Sequence, residues 1–207
     1  MVANAIREIA RCDERPDTTG FLNDHQEIGT NISGRPVLAK TSGWRNLPNE
    51  IDFIAALHKV GAMAERIMLI ENLGIPSDRW ANVIHPSASI AEGVLLGHGN
   101  FIGQNAVLQP GVTLGDHCTV RAGANLGHDS VLDSFCYVGP NATLCGRAGM
   151  KLGAHLGPNA VVTDGIQMGR LSILAAGSML ARDSEEGGTY LGVPARLVRT
   201  MRNRLER

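Results

Sequence analysis

The sequence predicts a mainly β protein: a parallel β-helix of hexapeptide repeats, preceded by a small α/β unit and followed by a short tail. Three observations carry this. The 207 residues include 25 glycines, about 12 % against the ~7 % typical of globular chains. Only eight residues are aromatic and 19 % are charged. The third observation is an unbroken six-residue period.

Stepping by six from Ile84 meets Ile90, Leu96, Ile102, Leu108, Leu114, Val120, Leu126, Leu132, Val138, Leu144, Met150, Leu156, Val162, Met168, Leu174 and Leu180, all aliphatic or Met. Four residues after each, small side chains recur (Ala88, Ala106, Cys118, Ala124, Ser130, Cys136, Ala142), and one residue after, glycine (Gly97, Gly103, Gly115, Gly127, Gly139). Six fits neither the 3.6-residue helix nor a continuous two-residue strand; it fits a short strand and a turn, repeated. The aliphatic points inward, the small residue packs at the turn, and glycine relieves the corner backbone. Three units make one triangular coil of eighteen residues, stacked as parallel strands about 4.8 Å apart. Residues 84–183 then hold about five and a half coils. Known hexapeptide helices are left-handed, and that hand is expected here.

Residues 1–83 read as an α/β, Rossmann-like unit. Helical patterns cover Ala3–Arg11 and Val60–Leu73, the second with Val60, Ala64, Ile67 and Met68 on its apolar face and Gly74 as its stop. Strands are expected at Thr18–Leu22, Arg35–Ala39, Ile51–Leu57 and Trp80–Ile84, with the alternation arguing a parallel sheet. Residues 184–207 read as a loop, with Gly187, Gly188, Gly192 and Pro194, and then a short helix over Ala195–Arg207.

The charge balance, 19 basic and 20 acidic residues, lacks the electrostatic footprint of nucleic-acid binding. No apolar run reaches the roughly 18–20 residues of a membrane span, and the opening residues carry no apolar signal region. Four cysteines without CxxC spacing suggest reduced thiols in a cytoplasmic protein. Cys118 and Cys136, eighteen apart, should stack on adjacent coils as small inward residues. The seven histidines lack the pair five residues apart that builds zinc sites on such helices, so no metal is expected.

His128 stands third in its hexad, at an outward corner, with Asp129 beside it. A carboxylate next to an imidazole suits a general base, although a solvent-exposed corner histidine needs no function. Gly146 follows eighteen residues later, one coil above on the same corner, where its backbone N–H would lie near the imidazole. A glycine required only for the turn would look the same.

GFLND at 20–24, VIHPSA at 83–88, LGHDSVLDSFCYVGPNATLCG at 126–146 and GVPA at 192–195 carry a resemblance across nearly the whole chain. The sequence resembles the hexapeptide-repeat sugar-nucleotide acetyltransferases, of the sialic-acid O-acetyltransferase and UDP-4-amino-sugar or GDP-perosamine N-acetyltransferase type. The resemblance implies a homotrimer that takes acetyl-CoA between neighbouring β-helices and acetylates a nucleotide-linked sugar in surface-polysaccharide biosynthesis. It implies catalytic roles for His128 and Asp129 in a direct transfer. It also implies cofactor contacts at Tyr137, Gly146, Pro158 and Ala176, although this family often carries other side chains at the first, third and fourth of these. Asn23, Asp24, His58 and Lys59 end expected strands of the α/β unit, where such sheets bind ligands, and are candidate substrate contacts. Ordinary polar loop residues remain the other reading of these four.

The family's opening strand and glycine-rich turn have no counterpart before Ala3, so the α/β unit reads as truncated and nucleotide-sugar binding is expected to be weak. Two other functions stay open: a CoA-dependent acyltransferase with a non-nucleotide acceptor, and a non-catalytic β-helix scaffold.

Overall fold

The computed structural model describes residues 18–55 and 58–200. The helix expected over Ala3–Arg11, and Cys12, lie outside them. From β4 (Val83–Ile84) to β20 (Met179–Leu180), seventeen two-residue strands follow one another every six residues. They assemble into three parallel ladders whose partners are eighteen residues apart: Val120 pairs with Ile102 and Val138, Leu126 with Leu108 and Leu144, Leu132 with Leu114 and Met150. The result is a β-helix with three walls.

All but three of the seventeen period-six residues are buried, and Ile84, Ile90 and Leu96, in the first coil, are half-buried and pack on the same core. The small residues four positions on fill the corners inside, with Ala106, Cys118, Ala124 and Ala142 fully enclosed. Cys118 and Cys136 stack as expected, each Sγ directed at a carbonyl of the next coil, that of Asp133 at 3.2 Å and that of Lys151 at 3.3 Å.

The recurring glycines serve a different purpose from the one expected. Those one residue after the aliphatic do not adopt positive φ. A methyl group on Gly127 would lie 2.6 Å from the amide nitrogen of Gly146, and one on Gly139 would lie 2.6 Å from the nitrogen of Pro158. They are bare because the next coil's backbone passes against them. The left-handed corner is the fourth hexad position, held by Asn105, Asp129, Asn141 and Arg147 among others, with φ between 53° and 58°.

The N-terminal unit departs further from expectation. Its three-stranded sheet runs β1 (Phe21–Leu22), β3 (Arg35–Ala39), β2 (Asn31–Ile32). β1 and β3 are parallel, but β2 and β3 form an antiparallel hairpin. Its two-residue turn, Ser33 and Gly34 at φ 50° and 82°, matches strand twist and makes the sheet mixed. In place of a strand over Ile51–Leu57, of which residues 56 and 57 are outside the described part, Phe53 makes one parallel bridge to Trp80. Trp80 stops there and strand pairing resumes at Val83.

Helix α1 covers Met63–Asn72, inside the expected Val60–Leu73. Met63, Ile67 and Ile70 form its buried face, packed with Trp80, Phe135 and Leu171, while Val60 and Met68 are exposed. The β-helix corner selects one stripe of the helix, and Met68 falls beside that stripe.

Among the described residues the tail is a hairpin where a loop and the start of a helix were expected, and residues 201–207 of that expected helix lie outside them. β21 (Gly188–Gly192) extends the first wall beside Ile173–Leu174, and β22 (Ala195–Thr200) pairs antiparallel with β21. An open wall edge offers ladder partners that overrode helical propensity over 195–200. No helix among the described residues is long and apolar enough to cross a membrane.

Candidate functional site

The corner after β11 (Asn125–Leu126) carries His128 and Asp129, both exposed. Asp129 occupies the left-handed position, φ 58°, which turns its carboxylate back along the chain. His128 Nδ1 lies 2.9 Å from Asp129 Oδ2. A proton on Nδ1 donated to the carboxylate leaves Nε2 as a lone-pair acceptor, the tautomer a general base needs.

One coil later the same corner holds Gly146. A methyl group there would lie 2.5 Å from Nε2 of His128 and 2.9 Å from Cε1, so the ring rests over a bare backbone. The Gly146 amide donates to no group among the described residues. Gly146 is buried, with the imidazole on one side and the backbone of Gly127 on the other. Cys145, beside it, is half-buried, and burial first, then the Asp164 carboxylate, push its thiol above the usual range. A protonated thiol is a poor nucleophile.

The other candidates are distributed. Pro158 and Ala176 stand on the adjacent corner, between the first and second walls, not with His128. Tyr137 is on the first wall, in register with His155. Their rings stack at 4.6 Å, and His58 stacks on Tyr137 at 3.9 Å and meets His155 through a 3.1 Å Nε2 to Nδ1 hydrogen bond. Burial holds both histidines down at about 4; the nearby Arg121 charge adds to it for His58, and His58 for His155. His58 thus docks the N-terminal segment onto the β-helix, while Lys59 beside it is exposed.

Asn23 and Asp24 are engaged locally. Asn23 Oδ1 accepts the amides of His25 and Gln26, and Asp24 accepts both the amide and the hydroxyl of Thr41. The Thr41 hydrogen bonds hold the Asp24 carboxyl below its usual range. Among the described residues no group of three or more His, Cys, Asp and Glu is placed to hold a metal.

Sequence reasoning missed three residues beside these. His155 lies eighteen residues after Tyr137, Gln109 nineteen before His128, and Asn125 three before it. The eighteen-residue stacking that pairs Gly146 with His128 would have found the first; an eighteen-residue step from His128 meets Pro110, one residue past Gln109.

Residues 93–128 match the model of the bacterial transferase hexapeptide, six repeats. No curated protein matches the sequence. Among solved structures, the acetyltransferase domain of PglB from Neisseria gonorrhoeae, in complex with acetyl coenzyme A, is 26 % identical with a TM-score of 0.81. The match covers 94 % of this chain and 93 % of that domain. This chain resembles the hexapeptide-repeat acetyltransferases. A mutant perosamine N-acetyltransferase from Caulobacter crescentus, in complex with CoA and GDP-perosamine, is 24 % identical with a TM-score of 0.81, over 95 % of this chain and 91 % of that one, and shares the fold. WeeI from Acinetobacter baumannii shares it too, at 19 % identity and a TM-score of 0.74, over 94 % and 93 %.

Proposed function

We propose that this protein is an acetyl-CoA-dependent acetyltransferase acting on an amino or hydroxyl group of a nucleotide-linked sugar. The observation that carries the reading is the His128–Asp129 pair at 2.9 Å, its ring seated over Gly146, whose amide has no partner among the described residues. Acetyl-CoA supplies an activated acyl group as a thioester. His128 Nε2 takes the proton of the acceptor as its nitrogen or oxygen attacks the thioester carbon. Asp129 holds the ring in the required tautomer and steadies its charged form. The Gly146 N–H meets the developing oxyanion. As the carbon–sulfur bond breaks, the imidazolium returns the proton to the departing thiolate, leaving free CoA and the acetylated sugar.

The family pattern extends this reading to cofactor contacts at Tyr137, Pro158 and Ala176, and to substrate contacts at Asn23, Asp24, His58 and Lys59. It includes the left-handed coil, the division at 83/84 and 183/184, a Rossmann-like role for the N-terminal unit, and a cytoplasmic homotrimer. The second wall, which separates the His128 corner from the Pro158 corner, supports the trimer, because one chain offers these positions on different edges and a neighbouring copy can close the groove between them. The mixed sheet and the occupied side chains of Asn23 and Asp24 favour a non-nucleotide acceptor as the second reading.

The test is mass spectrometry of a panel of UDP- and GDP-linked amino sugars, GDP-perosamine included, incubated with acetyl-CoA. A product 42 Da heavier, about the mass of one acetyl group replacing hydrogen, supports the reading. Acetylation of free sugars or amino acids alone moves the assignment to the second reading, and no transfer to any acceptor overturns both.

A further inference from the structure

The edge between the first and second walls carries a cleft of about 570 Å³, lined by no residue of the His128 corner. It runs up four successive coils, from Ser87 past Asn105 and Gly123 to Asn141, each eighteen residues after the last. That volume lies within the roughly 300–1,000 Å³ of small-molecule sites. Gly123 makes the gap. Asn105, Gly123 and Asn141 all hold left-handed corners, φ 53°, 70° and 54°, and only the middle one lacks a side chain. A methyl group on Gly123 would collide with Oδ1 of Asn141, so the Asn141 carboxamide lies across the gap.

The lining has a definite chemistry. The amide of Ser87 points at Nδ1 of His85 at 3.1 Å, which makes that nitrogen an acceptor, so the Ser87 hydroxyl 2.8 Å away donates to it. The same hydroxyl accepts the amide of Asn105 at 3.1 Å. His85 and Ser87 thereby brace the lower end of the cleft. Asn105 and Asn141 are exposed, and their carboxamides bond to nothing among the described residues. Each offers two donors and an acceptor, the complement of hydroxyl groups that both give and take hydrogen bonds. Ala122 and Pro140 add apolar surface, and no Asp, Glu, Lys or Arg lines the cleft. A phosphate would call for arginine or lysine. A neutral polyol with a C–H face fits.

Its place on the fold is equally specific. Pro140 stands eighteen residues before Pro158 and thirty-six before Ala176, on the same edge. These candidate cofactor positions lie above the cleft, and a thioester arm running down from them ends at it. His128 of the same chain is across the second wall. Gly123 and His128 nevertheless belong to one coil, five residues apart, and Asn141 and Gly146 to the next, also five apart. A copy related by a threefold axis along the coils keeps those levels, which sets its own His128 corner opposite the upper half of the cleft.

We propose that this cleft binds the acceptor sugar ring, its hydroxyls held by Asn105 and Asn141 and its C–H face on Pro140, and that the base acting on it is His128 of the partner subunit. The inference rests on the acetyltransferase reading and its homotrimer. The transfer step is the one given above, with base and acceptor drawn from two chains.

Asn105→Gly and Asn141→Gly remove the carboxamides and keep the left-handed backbone unstrained. Each raises the acceptor KM about tenfold, the loss of roughly one hydrogen bond, and leaves the acetyl-CoA KM within about twofold. Ala122→Phe plugs the cleft and abolishes transfer, with acetyl-CoA still bound in calorimetry. His128→Ala is inactive as well. Co-expression of these last two full-length variants forms mixed trimers in which about a quarter of the sites pair an intact cleft with an intact base. Activity returns in the mixture only if the two come from different chains. The measurements use acetyl-CoA and the acceptor identified by mass spectrometry. Wild-type acceptor KM values in both asparagine variants, with His128→Ala inactive, overturn the cleft and leave the acetyltransferase reading standing. A mixture as inactive as its two parents, with Ala122→Phe still trimeric by light scattering, overturns the shared site. A wild-type chain that transfers no acetyl group overturns the inference together with the reading beneath it.

Discussion

The imidazole of His128 lies so close over Gly146 that a methyl group on the glycine would sit 2.5 Å from Nε2. Real Cβ atoms do not approach ring nitrogens that closely. Two residues eighteen apart are thus one unit, and the absence of a side chain at the second is what seats the first.

Gly146→Ala tests that relationship. The exposed His128 ring can swing away without disturbing the core, so the melting temperature stays within a few degrees. The base leaves its place, and kcat falls about 10²-fold or more. A variant with wild-type kcat shows that the ring position over Gly146 is immaterial.

His128→Ala removes the proposed base altogether. Turnover falls about 10²–10⁴-fold with little change in thermal stability. Asp129→Asn keeps a residue that tolerates the left-handed corner and loses only the charge behind the ring, so the loss is smaller. Steady-state kinetics beside a melting curve reads both. Unchanged turnover in the alanine variant removes His128 from the reaction.

Leu126→Asp places a carboxylate where the side chain is fully buried between Leu108 and Leu144. An unpaired buried charge costs several kcal/mol, a large share of the stability of most domains. Circular dichroism is expected to show an unfolded or aggregated chain, whereas Asn125→Asp, one residue earlier on the outer surface, folds.

The stacked histidines make stability depend on pH. His58 and His155 are held near 4 when folded, against 6.5 when free, so the unfolded chain binds more protons between those values. Their contribution is whole above about pH 6.5 and is lost as pH falls toward 4. The double variant His58→Phe, His155→Phe keeps flat rings at both positions and is expected to show a shallower fall of melting temperature over that window. An identical slope in the variant removes the pair as its source.

The homotrimer is checked by light scattering on the whole chain, whose single-copy mass is 22.0 kDa. Full activity in a monomer overturns the closure of the groove by a neighbouring copy.

The β-helix was legible because burial repeats. Every sixth residue from Ile84 must leave water, and no other regular structure buries that spacing. The same count put Gly146 over His128 and Cys118 beneath Cys136. The N-terminal unit was less legible because its contacts do not repeat. Ser33 and Gly34 made a tight turn between β2 and β3, and Phe53 found a single bridge to Trp80 where a strand was expected.

By itself the sequence determined the coil, its inward residues and which residues share a corner, because each follows from a fixed count along the chain. Only the tertiary structure decided which stripe of α1 meets the Phe135–Leu171 corner, that Ala195–Thr200 closes a wall as a strand, and that His58 docks on Tyr137. It alone turned the carboxamides of Gln109 and Asn125. Those outcomes depend on which donors, acceptors and apolar faces are left open once the coils have stacked, and an open group takes the partner that reaches it in space.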